Sequence, residues 1–178
     1  MMKLVVICLL FFLTPLHSQG HNSSPCKSTT NNNGYNDFRK KHFPQGFPRQ
    51  TDKETWKAFL EKSGLCGRTK IQSFIDASSE YKLKKICRRG GKRYRDNLCI
   101  STSDFRLFEV ESMKDNNGKC LVKAVKIDNK HIILACDKIG NECVPVHYQA
   151  NPNDETSVVN CSGKDWYCTV HHRSLASL

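Results

Sequence analysis

The chain has no long apolar run beyond its first twenty or so residues, no internal repeat and comparatively few acidic side chains. Because a membrane-spanning helix needs about 20 consecutive apolar residues, the first absence argues against a transmembrane segment in the rest of the chain. The sequence has 17 Asp and Glu residues against 28 Lys and Arg residues, which gives a formal net charge of +11. That charge favours polyanionic partners: RNA, heparan-type glycans or bacterial surfaces.

Residues 1–20 have the features of a secretory signal peptide. They contain one lysine, the apolar run Leu4–Leu13 and a small-residue end at Ser18–Gly20. This run is too short to cross a bilayer. We therefore expect the mature protein to be secreted, extracellular and monomeric. Asn-Xaa-Ser sequences at Asn22 and Asn160 would then be glycosylation acceptors.

The remainder divides by composition into three parts. Residues 21–34 are rich in Asn, Ser and Thr and are expected to form a flexible arm. Residues 35–150 have the length of one small domain, and residues 151–178 form a C-terminal extension. A domain of this size buries a limited core, which disulfides typically supplement in secreted proteins.

The first half of the domain predicts three helices and one strand. The helices are Tyr35–Phe43, a second helix from a capping box of Thr51 and Glu54 to a stop at Gly64, and Ser79–Cys87. The strand is Lys70–Ile75.

The second half has β character, and the segment Arg88–Arg95 is expected to be a basic turn that suits phosphates or sulfates. The expected strands are Cys99–Val110 and Lys119–Ile127, the latter turning at Asp128 and Asn129 into a hairpin with His131–Cys136. Helices followed by strands indicate an α+β fold, with three helices packed on a curved antiparallel sheet.

The most informative stretch is Asn129–Cys136 followed by Val144–Tyr148. It has the pattern of a buried strand ending in cysteine, a polar turn and a second strand that presents His147. This pattern closely resembles the C-terminal hairpin of the pancreatic-type (ribonuclease A) superfamily. Far upstream, Phe38 and His42 are similar to that family's first helix, in which an aromatic residue precedes the catalytic histidine by four positions.

The resemblance implies an endoribonuclease that needs no metal or other cofactor. RNA carries its own nucleophile, the 2′-hydroxyl, so cleavage requires a base for that proton and an acid for the leaving 5′-oxygen. Histidine suits both tasks because its pKa lies near neutral pH. By resemblance His42 is the base and His147 the acid, with the roles exchanged in hydrolysis of the 2′,3′-cyclic intermediate. Lys41 and Tyr148 flank these histidines and are expected to touch the phosphate. His131 fits a structural position of the family.

The middle motif departs from the family pattern, which is a cysteine followed at once by lysine, then two further residues, then Asn-Thr-Phe. The segment Cys66–Phe74 is two residues longer, with Gln72 and Ser73 in place of asparagine and threonine. Lys70 is nearest to the catalytic lysine when counted back from Phe74, and Arg68 when counted from Cys66. We take Lys70 as the catalytic cation, leave Arg68 as the alternative, and expect Gln72 and Ser73 to contact the base of a pyrimidine.

Removing Cys8 with the signal peptide leaves nine of the ten cysteines. The resemblance implies the bridges Cys66–Cys120 and Cys87–Cys136. A third bridge of the family joins the second helix to a later strand, but neither Thr51–Lys62 nor Ser101–Glu111 contains cysteine. Trp56 and Phe59 are therefore expected to compensate by apolar burial. The remaining pairings stay open, with Cys99–Cys143 and Cys161–Cys168 as candidates and Cys26 as the odd thiol. A zinc site of Cys161, Cys168, His171 and His172 is a weaker alternative.

Together these features predict a secreted, angiogenin-like or non-mammalian ribonuclease with an altered middle motif. It would cleave single-stranded RNA 3′ of pyrimidines and could serve host defence or vessel growth. The alternative is a cationic antimicrobial or growth-factor-like protein on the same fold, whose active site has decayed through the middle loop.

Overall fold

The computed structural model describes residues 25–156 and the backbone of 159–160. The expected signal peptide, the side chains of both glycosylation acceptors and the expected tail sites at Cys161, Cys168, His171 and His172 lie outside the described residues. The helices are α1 (Gly34–His42), α2 (Lys53–Ser63) and α3 (Glu80–Ile86). The strands are β1 (Lys27–Ser28), β2 (Ile71–Asp76), β3 (Gly91–Arg93), β4 (Leu98–Ser101), β5 (Phe105–Lys114), β6 (Cys120–Lys130), β7 (Ile133–Ile139), β8 (Glu142–Gln149) and β9 (Val159–Asn160).

The strands form two sheets. The smaller sheet is antiparallel with the order β2-β5-β6. In the larger sheet, β7 pairs antiparallel with both β4 and β8 and parallel with the short β1, while β3 joins β4 to β9. The expected α+β class, with three helices on a curved and almost wholly antiparallel sheet, is confirmed. No helix within residues 25–156 is long and apolar enough to cross a membrane.

The expected hairpin between residues 119–127 and 131–136 is wrong. Strand β6 continues through Asp128 and Asn129 to Lys130 and pairs with β5. Strand β7 pairs with β4 and β8 in the other sheet. Alternating hydrophobicity identifies a strand but not its partner, and the connection after Lys130 carries the chain from one sheet to the other.

Smaller differences concern element ends. The expected strand Cys99–Val110 is interrupted between Ser101 and Phe105, and the expected basic turn Arg88–Arg95 contains β3. Helix α2 is capped by Asp52 rather than Thr51, because the Asp52 Oδ1 accepts the backbone N–H of Thr55 at 2.8 Å. The helix ends as predicted at Gly64, whose φ of 68° favours glycine.

Two apolar clusters form the core. The first lies between α1, α3 and the larger sheet and includes Phe38, Leu83, Leu134 and the Cys87–Cys136 disulfide. The second is aromatic and packs α2 on the smaller sheet. Its Trp56 is fully buried, with ring centroids 4.9 Å from Phe74 and 5.8 Å from Phe108.

This aromatic cluster joins α2 to β5. Trp56 belongs to α2 and Phe108 to β5, and the expected partner Phe59 packs against Trp56 edge to face at 5.9 Å. Phe47, which the sequence did not single out, adds a fifth ring to the cluster and is only 3% exposed. Aromatic burial thus connects the two elements without a covalent bond.

Candidate active site

His42 is the last residue of α1 and is held in the core by the face it shares with Phe38. The two residues are four apart, so their side chains lie on the same side of the helix. Phe38 is 1% exposed and His42 8%, and the His42 ring stacks on Tyr148 of β8 at a centroid distance of 5.2 Å. Helix packing therefore fixes where this imidazole lies.

A backbone hydrogen bond sets the tautomer of His42. Its Nδ1 lies 2.9 Å from the carbonyl oxygen of Ser73 in β2, and a carbonyl can only accept, so Nδ1 carries the proton. In the neutral ring Nε2 is then unprotonated and can take a proton. The Gln72 Nε2, 3.3 Å from the same Nδ1, donates instead to the backbone oxygen of Lys41 at 2.8 Å.

His147 lies on β8, opposite Ala135 of β7, next to an irregularity in the strand pairing. Ala135 pairs with His147 and Cys136 with Pro145, so Val146 is an extra residue on β8, a β-bulge. Pro145 has no N–H to give to the ladder, which favours a bulge at this point. A bulge changes the direction of the side chain that follows it, and His147 is exposed on the sheet surface.

Both histidines line one cleft of about 570 Å³. The positive charge of His147 also contributes to lowering the pKa of His42, less than burial and the charge of Arg68 do. The cleft lies between α1, β2, β8 and the loop before β2, and its other polar lining residues are Lys41, Arg68, Thr69, Ser73, Glu109, Lys130 and Asn151. Residues more than a hundred positions apart thus meet at a single concave surface.

Arg68 lines the cleft and acts electrostatically on both histidines. Its charge lowers the pKa of His42 and of His147. The guanidinium is held by two hydrogen bonds to the Gln72 Oε1, from Nε at 2.9 Å and Nη2 at 2.6 Å. Because Gln72 also donates to the backbone oxygen of Lys41, it links Arg68 to α1.

The expected catalytic Lys70 is exposed and does not line the cleft. Gln72, expected to contact substrate, is 1% exposed and likewise absent from the cleft lining, because its amide is occupied by Arg68 and α1. Lys41, Ser73 and Tyr148 all line the cleft, where they were expected. Of the two candidate cations, Arg68 lines the cleft and Lys70 does not.

Two connections that the sequence did not indicate hold α1 against β8. A disulfide joins Cys26, ahead of α1, to Cys143 of β8. At the start of α1, Gly34 packs so closely on the bulge that a methyl group there would lie 3.0 Å from the Val146 Cγ1. The elements that carry the two histidines are therefore joined directly.

The Cys26–Cys143 disulfide corrects two expectations. Cys26 is not an odd thiol, and Cys143 does not pair with Cys99, which is itself disulfide-bonded. The segment 25–34 is also not a free arm, because β1 pairs with β7 and the Cys26 N–H donates to the Cys136 oxygen at 2.8 Å. Both bridges implied by the family resemblance, Cys66–Cys120 and Cys87–Cys136, are present.

His131 lies outside the active cleft. Its Nδ1 is 3.1 Å from carboxylate oxygens of both Asp104 and Asp154, and its backbone N–H donates to Asp154 at 2.8 Å. Asn151 closes the same region, with its amide donating to the His131 oxygen at 3.0 Å. These bonds fit a structural histidine and show that the domain continues past residue 150.

Burial gives His42 a strong pH dependence. Desolvation, with a smaller contribution from the charge of Arg68, lowers its pKa to about 4, against about 6.5 in an unfolded chain. The unfolded state therefore binds more protons between these values, and the free energy of unfolding should fall as pH drops from 7 to 4. The contribution of His42 is about 3 kcal/mol.

Urea unfolding of the wild type and of His42→Gln between pH 4 and 7 measures this contribution, because all other titrating groups are common to both. We expect the wild type to lose more stability than the variant on acidification. Parallel curves for the two proteins would contradict the assignment of a neutral, desolvated imidazole.

The sequence matches no protein-family model and no curated protein, whereas the structure is similar to solved ribonucleases. Green turtle egg white ribonuclease is 24% identical, with a TM-score of 0.52 over 66% of this chain and 97% of that one. Zebrafish RNase5 is 18% identical, with a TM-score of 0.52 over 66% and 93%. SS-RNase-2 is 25% identical, with a TM-score of 0.51 over 66% and 96%. The chain therefore has the fold of the pancreatic-type ribonucleases.

Proposed function

We propose that the protein is a secreted endoribonuclease that cleaves single-stranded RNA through a 2′,3′-cyclic phosphate. The observation that carries the proposal is the presence of His42 and His147 in one cleft, with the His42 proton fixed on Nδ1 by the Ser73 carbonyl. In this reaction the RNA supplies the nucleophile, so the enzyme needs a base and an acid on either side of one phosphate. A base and an acid that line the same cleft meet this requirement.

In the first step the His42 Nε2 takes the proton of the ribose 2′-hydroxyl. The 2′-oxygen attacks phosphorus, the bond from phosphorus to the 5′-oxygen breaks, and protonated His147 gives its proton to that oxygen. In the second step neutral His147 takes a proton from water, whose oxygen attacks phosphorus. The bond to the 2′-oxygen breaks, and His42 returns its proton to the 2′-oxygen.

Arg68 is proposed as the cation that stabilises the charge on the phosphoryl oxygens. Two of its N–H groups are bound by Gln72, which fixes the guanidinium plane and leaves others free for phosphate. Lys41 adds a second positive charge at the cleft. Ser73 keeps a hydroxyl beside the cleft, which supports a preference for pyrimidines on the 5′ side of the cleaved bond.

The two histidine pKa values set the pH dependence of the reaction. Burial lowers the pKa of His42 to about 4, and burial together with Arg68 and Lys41 also lowers the pKa of His147 below its usual 6.5. The base must be neutral and the acid protonated, so kcat/KM should be maximal between about pH 4 and 6.5. A pH profile with a dinucleotide substrate checks this, and a maximum above pH 7 would contradict the roles assigned.

The proposal is tested by incubating the purified mature chain with a pyrimidine-containing RNA dinucleotide in EDTA. We expect a 2′,3′-cyclic phosphate product, and no cleavage of the matched dinucleotide that lacks the 2′-hydroxyl. Cleavage of the deoxy substrate, or activity that EDTA abolishes, would rule out the proposed chemistry. Secretion is part of the proposal and rests on residues 1–20, the basic charge and the disulfides.

A further inference from the structure

A second cleft of about 480 Å³ lies at the ends of β2 and β5, beside α3. None of the residues that line it lines the active cleft. Along β2, Ser73 belongs to the active cleft and Asp76 to the second one. Three strand residues span about 10 Å, and side chains an odd number apart point to opposite faces, so the two clefts are close but separate.

The second cleft is cationic. Lys82 and Lys85 of α3 and Arg106 of β5 line it, and all three are exposed. Within residues 25–156, none of these three side chains forms an ion pair or a hydrogen bond. The Arg106 guanidinium lies over the Phe108 ring at 5.1 Å, a contact that orients the group while leaving its N–H edge free for an anion.

The two carboxylates of this cleft already have partners. Asp76 accepts the Arg49 Nε–H at 3.0 Å, and Asp104 lies 3.1 Å from the His131 Nδ1. In both cases one oxygen, Oδ1, makes the contact and Oδ2 remains available. Arg49 outside the cleft matches the Asp76 charge, and Asp104 is in contact with His131. Lys82, Lys85 and Arg106 therefore outnumber the acidic charge that remains in the cleft, beside carboxylate oxygens that can accept from hydroxyl groups.

We propose that the second cleft binds a backbone phosphate and ribose of RNA at a distance from the cleaved bond. The cations would hold the phosphate, and Asp76 and Asp104 would accept from ribose hydroxyls. RNA has one anionic group per nucleotide, separated by neutral sugar hydroxyls. A sulfated glycan carries a denser row of anions, which the two carboxylates would repel, so RNA fits the mixed lining better.

This inference rests on the proposed ribonuclease function, and it predicts different effects on short and on long RNA substrates. A dinucleotide has one phosphodiester and cannot occupy both clefts. A longer RNA has further phosphates, one of which can reach the second cleft while another lies between the histidines. The second cleft should therefore contribute to the binding of long RNA and not to the cleavage of a dinucleotide.

The experiment compares the wild type with the triple variant K82Q/K85Q/R106Q on a dinucleotide and on a long single-stranded RNA. We expect KM for the long RNA to rise about fivefold to tenfold and its salt dependence to weaken by about one phosphate contact, with dinucleotide kcat/KM unchanged. A matched control, K62Q/K123Q/K126Q, removes the same charge from exposed lysines that line neither cleft. It should change KM for the long RNA by less than twofold.

A binding measurement keeps the test independent of catalysis. Fluorescence anisotropy with a 2′-O-methyl RNA oligomer, which cannot be cleaved, should show about fivefold to tenfold weaker binding by the cleft variant than by the wild type. If the wild type cleaves nothing yet this difference is found, the proposed function fails and the second site stands.

Three results would overturn the second site. The first is an equal change of KM for the long RNA in the two triple variants. The second is a loss of dinucleotide cleavage by the cleft variant while its fold is intact, and the third is weaker binding of a sulfated heparin oligosaccharide by the cleft variant while its RNA binding is unchanged. The last result would reassign the cleft to a glycan.

Discussion

Replacing His147 by alanine is expected to lower kcat/KM for a pyrimidine dinucleotide by about 10²–10⁴-fold. The imidazole is exposed at the bulge of β8, so its removal should leave the fold intact and abolish protonation of the leaving 5′-oxygen. His42→Ala should cause a loss of the same order by removing the base. Since both groups act in one step, the double variant should lose less than the product of the two single losses.

The matched control is His131→Ala, which removes a histidine outside the cleft and should retain dinucleotide cleavage. Retention of full activity by His147→Ala would contradict the proposed mechanism. The same variants separate the enzyme from the cationic binding protein that the sequence also allows. Antibacterial or growth-promoting activity that is retained in the double histidine variant would support the alternative of a non-enzymatic cationic binding protein.

Arg68→Gln is expected to reduce kcat/KM by about 10²–10³-fold, because it removes a preorganised charge from the phosphate site. Lys70→Gln, two positions away on an exposed side chain, is the matched control and should change kcat/KM by less than threefold. The loss should fall mainly on kcat, because the charge on phosphorus increases in the transition state.

The reverse result, with Lys70 essential and Arg68 dispensable, would show that the loop rearranges when RNA binds. Gln72→Leu provides a third point in the series. It keeps the Arg68 charge but removes the acceptor of two guanidinium hydrogen bonds, and its loss should be intermediate. Because Gln72 is buried, circular dichroism should first establish that the fold of this variant is unchanged, and its kcat is then compared with that of the wild type.

Local patterns were sufficient for the elements that carry the histidines. The i, i+4 spacing of Phe38 and His42 predicted that both side chains lie on one face of α1. The strands around His147 followed from their apolar residues and the polar turn between them. The α+β class followed from the order of helices and strands. These features depend on residues that are neighbours in the sequence.

Features that depend on distant partners could not be obtained in this way. The pairing of β6 with β5, and of Cys26 with Cys143, is decided by packing across the domain. The middle loop was ambiguous because two additional residues can be accommodated on either side of Lys70. Only the bonds from Arg68 to Gln72, and from Gln72 to α1, decide which cation faces the cleft.

The most direct measurement follows the ring protons of His42 and His147 by NMR while a pyrimidine nucleoside 3′-phosphate is added. A phosphate bound between the two imidazoles should raise the pKa of both, with one dissociation constant describing both changes and with His131 unaffected as an internal reference. A response from one histidine alone, or separate constants for the two, would contradict a shared phosphate site.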